Sequence, residues 1–197
     1  MKSMKNIFTL IIAVLISSCS EVADCFQSAG STVQEEIMGL ASFSKIVVNR
    51  DVELILSEGP VPEVIVTTGA NLREGVSVVV VDGELILSDD NTCNFTRDYN
   101  ITKVFVTAPN ITHIRSATQF AVRSQGLLNY PELQFISEDD SNSEFNNVGD
   151  FYLDLNTESL SVVNNNHSNY FILEMEGLKV LILLQKRCVY TIVAIMI

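Results

Sequence analysis

The chain has 197 residues, of which 24 are acidic and 12 basic, so its formal net charge at pH 7 is −12. This acidic excess argues against a nucleic-acid partner, because nucleic acids are bound by patches of Lys and Arg. The apolar content of 47%, with many Val, Ile, Thr and Asn residues, indicates packed β-structure and excludes a disordered chain.

The first 18 residues combine a positively charged start with an apolar stretch. Lys2 and Lys5 precede the apolar residues Ile7 to Ile16, a stretch too short to span a bilayer, which needs about 20 residues. It ends in Ile16-Ser17-Ser18-Cys19, which resembles the lipobox of bacterial lipoproteins. We predict a lipoprotein signal peptide over 1–18 and a lipid anchor on Cys19 that holds the protein on a membrane. The alternative is an ordinary secretory signal in which Cys19 is incidental.

Removal of residues 1–18 would leave 179 residues, with 10 basic against 24 acidic groups and a net charge of −14. This length predicts one domain and a short tether, which we assign to residues 19–41. Ser20 stands where Asp often retains lipoproteins in the inner membrane. We therefore expect an outer membrane lipoprotein that faces either the periplasm or the cell surface. Cys25 and Cys93 would be free to pair in an oxidising compartment, but nothing in their spacing requires it.

Short apolar strands bounded by turn residues begin after residue 42. The strands predicted in the first half are Lys45–Val48, Val52–Leu56, Val64–Val66, Val78–Val81, Glu84–Leu87 and Lys103–Thr107. Between two of them, Asp82-Gly83 predicts a two-residue type I′ turn, because both residues tolerate positive φ angles.

The second half repeats. Ile111–Ile114, Leu133–Ile136 and Leu160–Val163 begin similar units, 22 and then 27 residues apart, and further predicted strands lie between them. These are Phe120–Val122, Phe151–Leu155 and Phe171–Leu173. Such a period is typical of stacked β-solenoid coils, with Asn and Ser at the corners. We predict a right-handed parallel β-helix-like solenoid, with an antiparallel β-sandwich as the alternative.

The opening of this region carries a resemblance to a known family. Phe43–Val48, Val52–Gly59 and Asp82–Leu87 are followed by Lys103–Val106, which leads into the repeats. With these segments the chain resembles the putative auto-transporter adhesin, head GIN domain family. The resemblance implies a parallel β-helix-like domain over residues 42–180 and a surface-binding role. It carries over no catalytic residue.

Residues 181–197 form an atypical apolar tail with a basic interruption at Gln185-Lys186-Arg187. A solenoid normally finishes on a polar capping coil, whereas this sequence finishes on Ile197. We interpret the tail as the product of a truncated or frame-shifted reading frame. The alternative is a last strand that pairs with the domain.

Residues that could bind a metal or a cofactor are few. His113 and His167 belong to no zinc-binding pattern, so no cofactor is expected. Asp140, Asn142 and Glu144 place oxygen ligands at alternate positions, as Ca²⁺ prefers, but the glycine of an EF-hand loop is missing. We interpret this segment as a solvated acidic turn.

A polysaccharide-active enzyme is one alternative function, because a pair such as Asp139 and Asp140 could act as acid and base. However, no basic residue of the repeat region except Arg115 and Arg123 is placed to stabilise an anionic transition state, so we expect no enzyme. The favoured hypothesis is a non-catalytic envelope lipoprotein that binds a glycan or an extracellular protein. Its candidate contact residues, expected to be exposed on turns, are Tyr99, Tyr130, Asn142, Asn165 and Tyr170. A structural envelope protein without a specific ligand is the third hypothesis.

Overall fold

A computed structural model describes residues 26–91, 97–98, 101–138, 149–164, 170–174, 179–184 and 192–196. Within these ranges the chain forms fifteen β-strands and one short 3-10 helix, Arg73–Gly75. No helix in these ranges is both long and apolar enough to cross a membrane.

The strands follow one another closely along the chain. The first seven are β1 (Thr32–Glu36), β2 (Lys45–Val48), β3 (Glu53–Glu58), β4 (Glu63–Gly69), β5 (Val76–Val81), β6 (Glu84–Asp89) and β7 (Lys103–Ala108). The next four are β8 (His113–Ser116), β9 (Val122–Leu128), β10 (Glu132–Ser137) and β11 (Phe151–Leu155). The last four are β12 (Ser159–Asn164), β13 (Tyr170–Glu174), β14 (Lys179–Leu184) and β15 (Ile192–Met196).

The strands form two sheets. Sheet A has eight strands in the order β1-β4-β7-β3-β9-β11-β13-β15, and sheet B has seven in the order β14-β12-β10-β8-β2-β6-β5. After β7 the strands alternate between the two sheets: β8, β10, β12 and β14 belong to sheet B, and β9, β11, β13 and β15 belong to sheet A. Buried side chains of both sheets meet in one hydrophobic core, which includes Ile46 and Leu85 of sheet B and Leu54 and Val104 of sheet A.

The predicted right-handed parallel β-helix-like solenoid was wrong, because the described strands form two mixed sheets instead. β1 with β4, β4 with β7, and β5 with β6 pair antiparallel, whereas the other pairs are parallel. A two-residue turn necessarily reverses the chain and gives antiparallel neighbours. The sandwich alternative is closer, since two sheets cover a shared core, although most of their pairs are parallel.

The Asp82-Gly83 turn is confirmed. Asp82 and Gly83 have φ angles of 49° and 77°, and Val81 lies opposite Glu84 in the antiparallel pair that the turn connects. Positive φ at both central residues is what a type I′ turn requires, and its twist matches that of the flanking strands.

The repeat units pair in parallel, but one of the two predicted offsets was wrong. Leu133 lies opposite Leu160, which confirms the 27-residue interval. Phe135, however, lies opposite Ile114, so the first interval is one residue shorter than predicted. A shift of one residue exchanges the two faces of a strand, and it is Phe135 and Ile114 that enter the core.

Both ends of the domain differ from the predicted boundaries. The segment predicted as a tether contains β1, which pairs with β4 along its whole length, from Thr32 opposite Gly69 to Glu36 opposite Ile65. In the predicted apolar tail, β14 pairs in parallel with β12, and β15 with β13. The last strands therefore continue the two sheets.

Buried polar groups lie at the ends of the strands. In one network the Thr102 hydroxyl donates to Oδ2 of Asp89 at 2.5 Å and lies 2.8 Å from the hydroxyl of Thr68. Elsewhere, three buried polar residues occupy the same register position in neighbouring strands: Ser116, Ser137 and Asn164. The Ser116 hydroxyl has no hydrogen-bond partner, alone among the buried side-chain polar atoms of the described residues.

Candidate functional site

The outer face of sheet A carries a row of side chains that crosses the strands. Because Leu54 and Leu56 of β3 point into the core, Glu53 and Ile55 point outward, since side chains alternate along a strand. Successive registers extend the row through Ile55 across the sheet. Its members are Glu36, Ile65, Phe105, Ile55, Arg123 and Tyr152.

Two cations meet one carboxylate beside this row. Nζ of Lys103 lies 3.0 Å from Oε2 of Glu53, and Nε of Arg123 donates to Oε1 at 3.0 Å. The Glu53 side chain is 6% exposed, whereas those of Lys103 and Arg123 are 41% and 46% exposed. The carboxylate is therefore held inside the sheet surface, and both cations extend outward from it.

Arg123 is fixed from a second side. Its guanidinium carbon lies 4.3 Å from the centroid of the Tyr152 ring, within the range of a cation–π contact. Tyr152 and Arg123 are opposite one another in the parallel pair of β9 and β11. Among the described residues, Nη1 and Nη2 of Arg123 have no hydrogen-bond partner. The site, here called the Arg123 cluster (Glu53, Lys103, Arg123 and Tyr152), therefore presents two free donors at a solvent-accessible surface.

The outer face of sheet B has a comparable row with a different charge arrangement. Its described members are Val79, Ile86, Val47, Arg115, Ile136 and Val163. Beside it Lys45 and Glu84 form an ion pair of 3.5 Å, in which both side chains are about equally exposed, at 42% and 40%. This pair contains no buried carboxylate and no aromatic ring.

Tyr130 was predicted to be an exposed contact residue, and this prediction was wrong. Its side chain is buried, and its hydroxyl lies 3.1 Å from the Ala108 carbonyl and 3.4 Å from that of Ser57. Burial, and then the negative charge of Glu58, raise the pKa of Tyr130 above its ordinary value of 10.0. The ring fills the core, so Tyr130 is not available to a ligand.

The other predicted site residues are not tested by the structure. Cys19, Cys25, Cys93, Tyr99, Asp139, Asp140, Asn142, Glu144, Asn165 and His167 lie outside the described residues. Tyr170 begins β13, where its backbone pairs with Phe151. Across the described ranges no group of three or more His, Cys, Asp and Glu side chains is arranged to hold a metal ion.

Exposed asparagines do connect neighbouring units, at positions that the sequence did not single out. Nδ2 of Asn156 donates to Oδ1 of Asn129 at 2.8 Å, and Nδ2 of Asn129 donates to Oε2 of Glu58 at 3.0 Å. These hydrogen bonds join residues that are distant in the sequence, so the polar ladder stabilises the turns of the domain.

The Arg123 cluster was only partly visible in the sequence. The sequence marks Arg123 as one of two basic residues in the repeat region, but its partner Glu53 lies 70 residues earlier. Glu53 and Lys103 belong to the first half, which showed no repeat. The sequence shows only that each of two apolar strands begins with a charged residue, and the pairing of those strands is needed to bring the two charges together.

The sequence matches one known protein family over most of the described domain. The model of the putative auto-transporter adhesin, head GIN domain family matches residues 42–174. The chain belongs to this family. The head GIN match covers every residue of the Arg123 cluster and confirms the resemblance seen in the sequence. No curated protein matches the sequence.

Solved structures share the fold of this chain. A putative adhesin from Bacteroides fragilis NCTC 9343 is 16% identical, with a TM-score of 0.59 over 76% of this chain and 64% of that chain. A putative lipid binding protein from Parabacteroides distasonis ATCC 8503 is 9% identical, with a TM-score of 0.51 over 79% and 67% of the two chains. The chain thus spans less than two thirds of the Bacteroides fragilis protein. At these identities the likeness establishes the fold alone.

Proposed function

We propose that this chain is a cell-envelope lipoprotein whose head GIN domain binds an extracellular glycan or protein without catalysing a reaction. The observation that carries the proposal is the Arg123 cluster, in which a buried carboxylate and an aromatic ring hold an arginine at an exposed sheet face. Surface residues fixed in this way bind with a smaller loss of side-chain entropy than mobile ones. Membership of an adhesin family supports a binding role.

The proposed location follows from the lipobox that ends at Cys19 and from the family. In this arrangement the acyl chains hold the protein on the outer membrane, and sheet A is presented to a ligand. The acidic charge of the chain supports the lipid as the main membrane contact, because anionic phospholipid attracts basic patches.

Two experiments test the proposal. A Cys19→Ser variant expressed in a Gram-negative host should lose fatty-acid labelling and leave the membrane fraction. If both persist, the lipoprotein assignment is wrong. Beads coated with the mature protein should adhere to at least one member of a glycan and extracellular-matrix panel. Silence across the panel would favour the structural alternative, and turnover of a polysaccharide would favour the enzyme alternative.

A further inference from the structure

We propose that the Arg123 cluster binds a single carboxylate of an acidic glycan whose neighbouring sugars are neutral. This inference rests on the proposed binding function and names the ligand class and the anchoring residue. Arg123 forms the salt bridge to the glycan carboxylate, and Lys103 supplies a second positive charge. The apolar side chains beside them, here called the apolar row (Ile55, Phe105 and Tyr152), contact the neutral sugars.

The charge of the cluster selects an anion. Glu53 contributes one negative charge and Lys103 and Arg123 one positive charge each, so the cluster is net positive on a chain whose formal charge is −12. Nε of Arg123 is engaged by Glu53, which leaves Nη1 and Nη2 for a ligand. Two parallel N–H donors on a planar guanidinium match the two oxygens of a carboxylate.

The cluster is ordered before a ligand arrives. Glu53 is buried, accepts a hydrogen bond from Arg123 and forms an ion pair with Lys103, and the Tyr152 ring covers one face of the Arg123 guanidinium. A long arginine side chain normally loses rotamer freedom on binding. Here part of that loss has already occurred in folding, so more of the interaction energy is available for affinity.

The apolar row favours a glycan. Ile55 and Phe105 are half-buried on one side of Arg123, and Tyr152 lies on the other. With neighbouring strands about 4.8 Å apart, Phe105 and Tyr152 are separated by roughly 14 Å across three strand spacings. Aromatic and aliphatic groups spread over this length, on both sides of Arg123, suit the C–H faces of successive sugar rings in an extended chain.

Acidic groups at the border of the row favour an isolated carboxylate over a uniformly charged polymer. Glu36 ends the row at the sheet edge, and Glu63 lies on β4, one strand from Phe105; both are exposed. A carboxylate on every sugar would place like charges near these residues, which costs binding energy. One carboxylate at Arg123 with neutral sugars over the apolar row avoids this repulsion.

The test uses the full mature protein and isothermal titration calorimetry. The probe is a xylo-oligosaccharide that carries one glucuronic acid, and its matched control is the same oligosaccharide with the carboxyl group reduced to an alcohol. Arg123→Gln removes the anchor. Arg115→Gln is the matched control variant, because Arg115 holds the corresponding place in the row of sheet B.

We expect the acidic probe to bind, with affinity falling as salt is added. Reduction of the carboxyl group and Arg123→Gln should each weaken binding at least about tenfold, since each removes a charge-assisted hydrogen-bonded pair. Arg115→Gln should bind like the unmodified protein, and polygalacturonate should bind less tightly per uronate than the probe.

Four results would overturn this inference. The first two are binding of the reduced probe as tight as that of the acidic probe, and equal losses of affinity in Arg123→Gln and Arg115→Gln. The other two are tighter binding of polygalacturonate than of the probe, and binding as tight as the probe's by a peptide whose one charged side chain is a glutamate. Adhesion of the coated beads to an uncharged ligand would refute the inference and leave the proposed function intact. Absence of adhesion to any ligand would refute the proposed function itself.

Discussion

The outer faces of the two sheets contain the same local element in different surroundings. In sheet A, Lys103 lies opposite Glu53 in a parallel pair, and in sheet B, Lys45 lies opposite Glu84 in a parallel pair. Glu53 is 6% exposed and Glu84 is 40% exposed. β3 has strands on both sides, so Arg123 of β9 reaches Glu53. Glu84 follows the Asp82-Gly83 turn beside the edge strand β5.

The comparison shows that position within the sheet decides what a Lys–Glu pair contributes. An exposed pair typically adds no more than about 1 kcal/mol, because water screens both charges and the side chains lose entropy. A buried carboxylate depends on its cations, because its water has been removed. In sheet A, the two cations that are exposed to solvent therefore also stabilise the buried carboxylate of Glu53.

The largest expected effect comes from removing both cations of sheet A. The double variant Lys103→Met/Arg123→Met removes the two cations that pair with the buried carboxylate of Glu53, which should lower the free energy of unfolding by about 3 kcal/mol. Chemical denaturation measures the change. Adding Glu53→Gln to the double variant should recover most of the loss, because it removes the buried negative charge. A double variant as stable as the original protein would contradict the assigned burial of Glu53.

A second comparison concerns buried hydroxyl groups, of which Tyr130 carries one in sheet A's part of the core. Its hydroxyl donates to a carbonyl of sheet A, at Ala108, so Tyr130→Phe should lower the free energy of unfolding by about 1 kcal/mol. The pKa of Tyr130 is raised by burial and by Glu58. The folded state therefore favours the protonated form, and this stabilisation is fully present below pH 10 and lost as the pH rises further.

Denaturation from pH 7 to pH 11 tests the Tyr130 assignment. The difference between the original protein and Tyr130→Phe should stay constant up to about pH 10, the unperturbed tyrosine value, and then shrink. Comparison with the variant removes the contributions of other groups that titrate in the same range. A difference that grows above pH 10 would mean that the pKa is lowered instead.

In sheet B the buried hydroxyl of Ser116 has no partner. Ser116→Ala should therefore raise the free energy of unfolding by about 0.5 kcal/mol, since it removes an unsatisfied polar group. Ser137, which lies opposite Ser116 and does have a partner, provides the control. Ser137→Ala should destabilise the protein by about 1 kcal/mol. Equal losses in both variants would show that Ser116 is hydrogen-bonded in solution.

The smallest effect is expected at the exposed pair of sheet B. Lys45→Met should change the free energy of unfolding by less than about 0.5 kcal/mol, because water replaces the lost partner of Glu84. Measured beside Lys103→Met under the same conditions, it isolates the influence of burial on the same residue pair. A larger loss in Lys45→Met than in Lys103→Met would reverse the comparison between the sheets.

Local features of the fold could be predicted from the sequence. Asp82-Gly83 defined a hairpin because turn geometry depends on the residues at the turn itself. Lys45–Val48 and Phe151–Leu155 were predicted with their observed bounds, since alternating β-branched and apolar residues identify strands. β1 was missed, because its mostly exposed residues TVQEE carry no apolar alternation.

The arrangement of the strands could not be predicted in the same way. β7 pairs antiparallel with β4 on one side and parallel with β3 on the other. No local sequence pattern specifies which strand becomes a neighbour. The one-residue error at Phe135 shows the same limit, because a degenerate repeat allows adjacent registers. The Arg123 cluster depends on such long-range pairing, so its members appeared in the sequence as unrelated charges.

If the Arg123 cluster anchors an acidic glycan, the ligand lies on the outer face of sheet A and not on that of sheet B. The most direct measurement is a titration with the singly carboxylated oligosaccharide, followed by NMR of the arginine Nε–H signals. We predict that the Arg123 signal shifts in proportion to saturation while the Arg115 signal stays in place, and that the carboxyl-reduced probe moves neither. A shift of the Arg115 signal equal to or larger than that of the Arg123 signal would contradict binding at the outer face of sheet A.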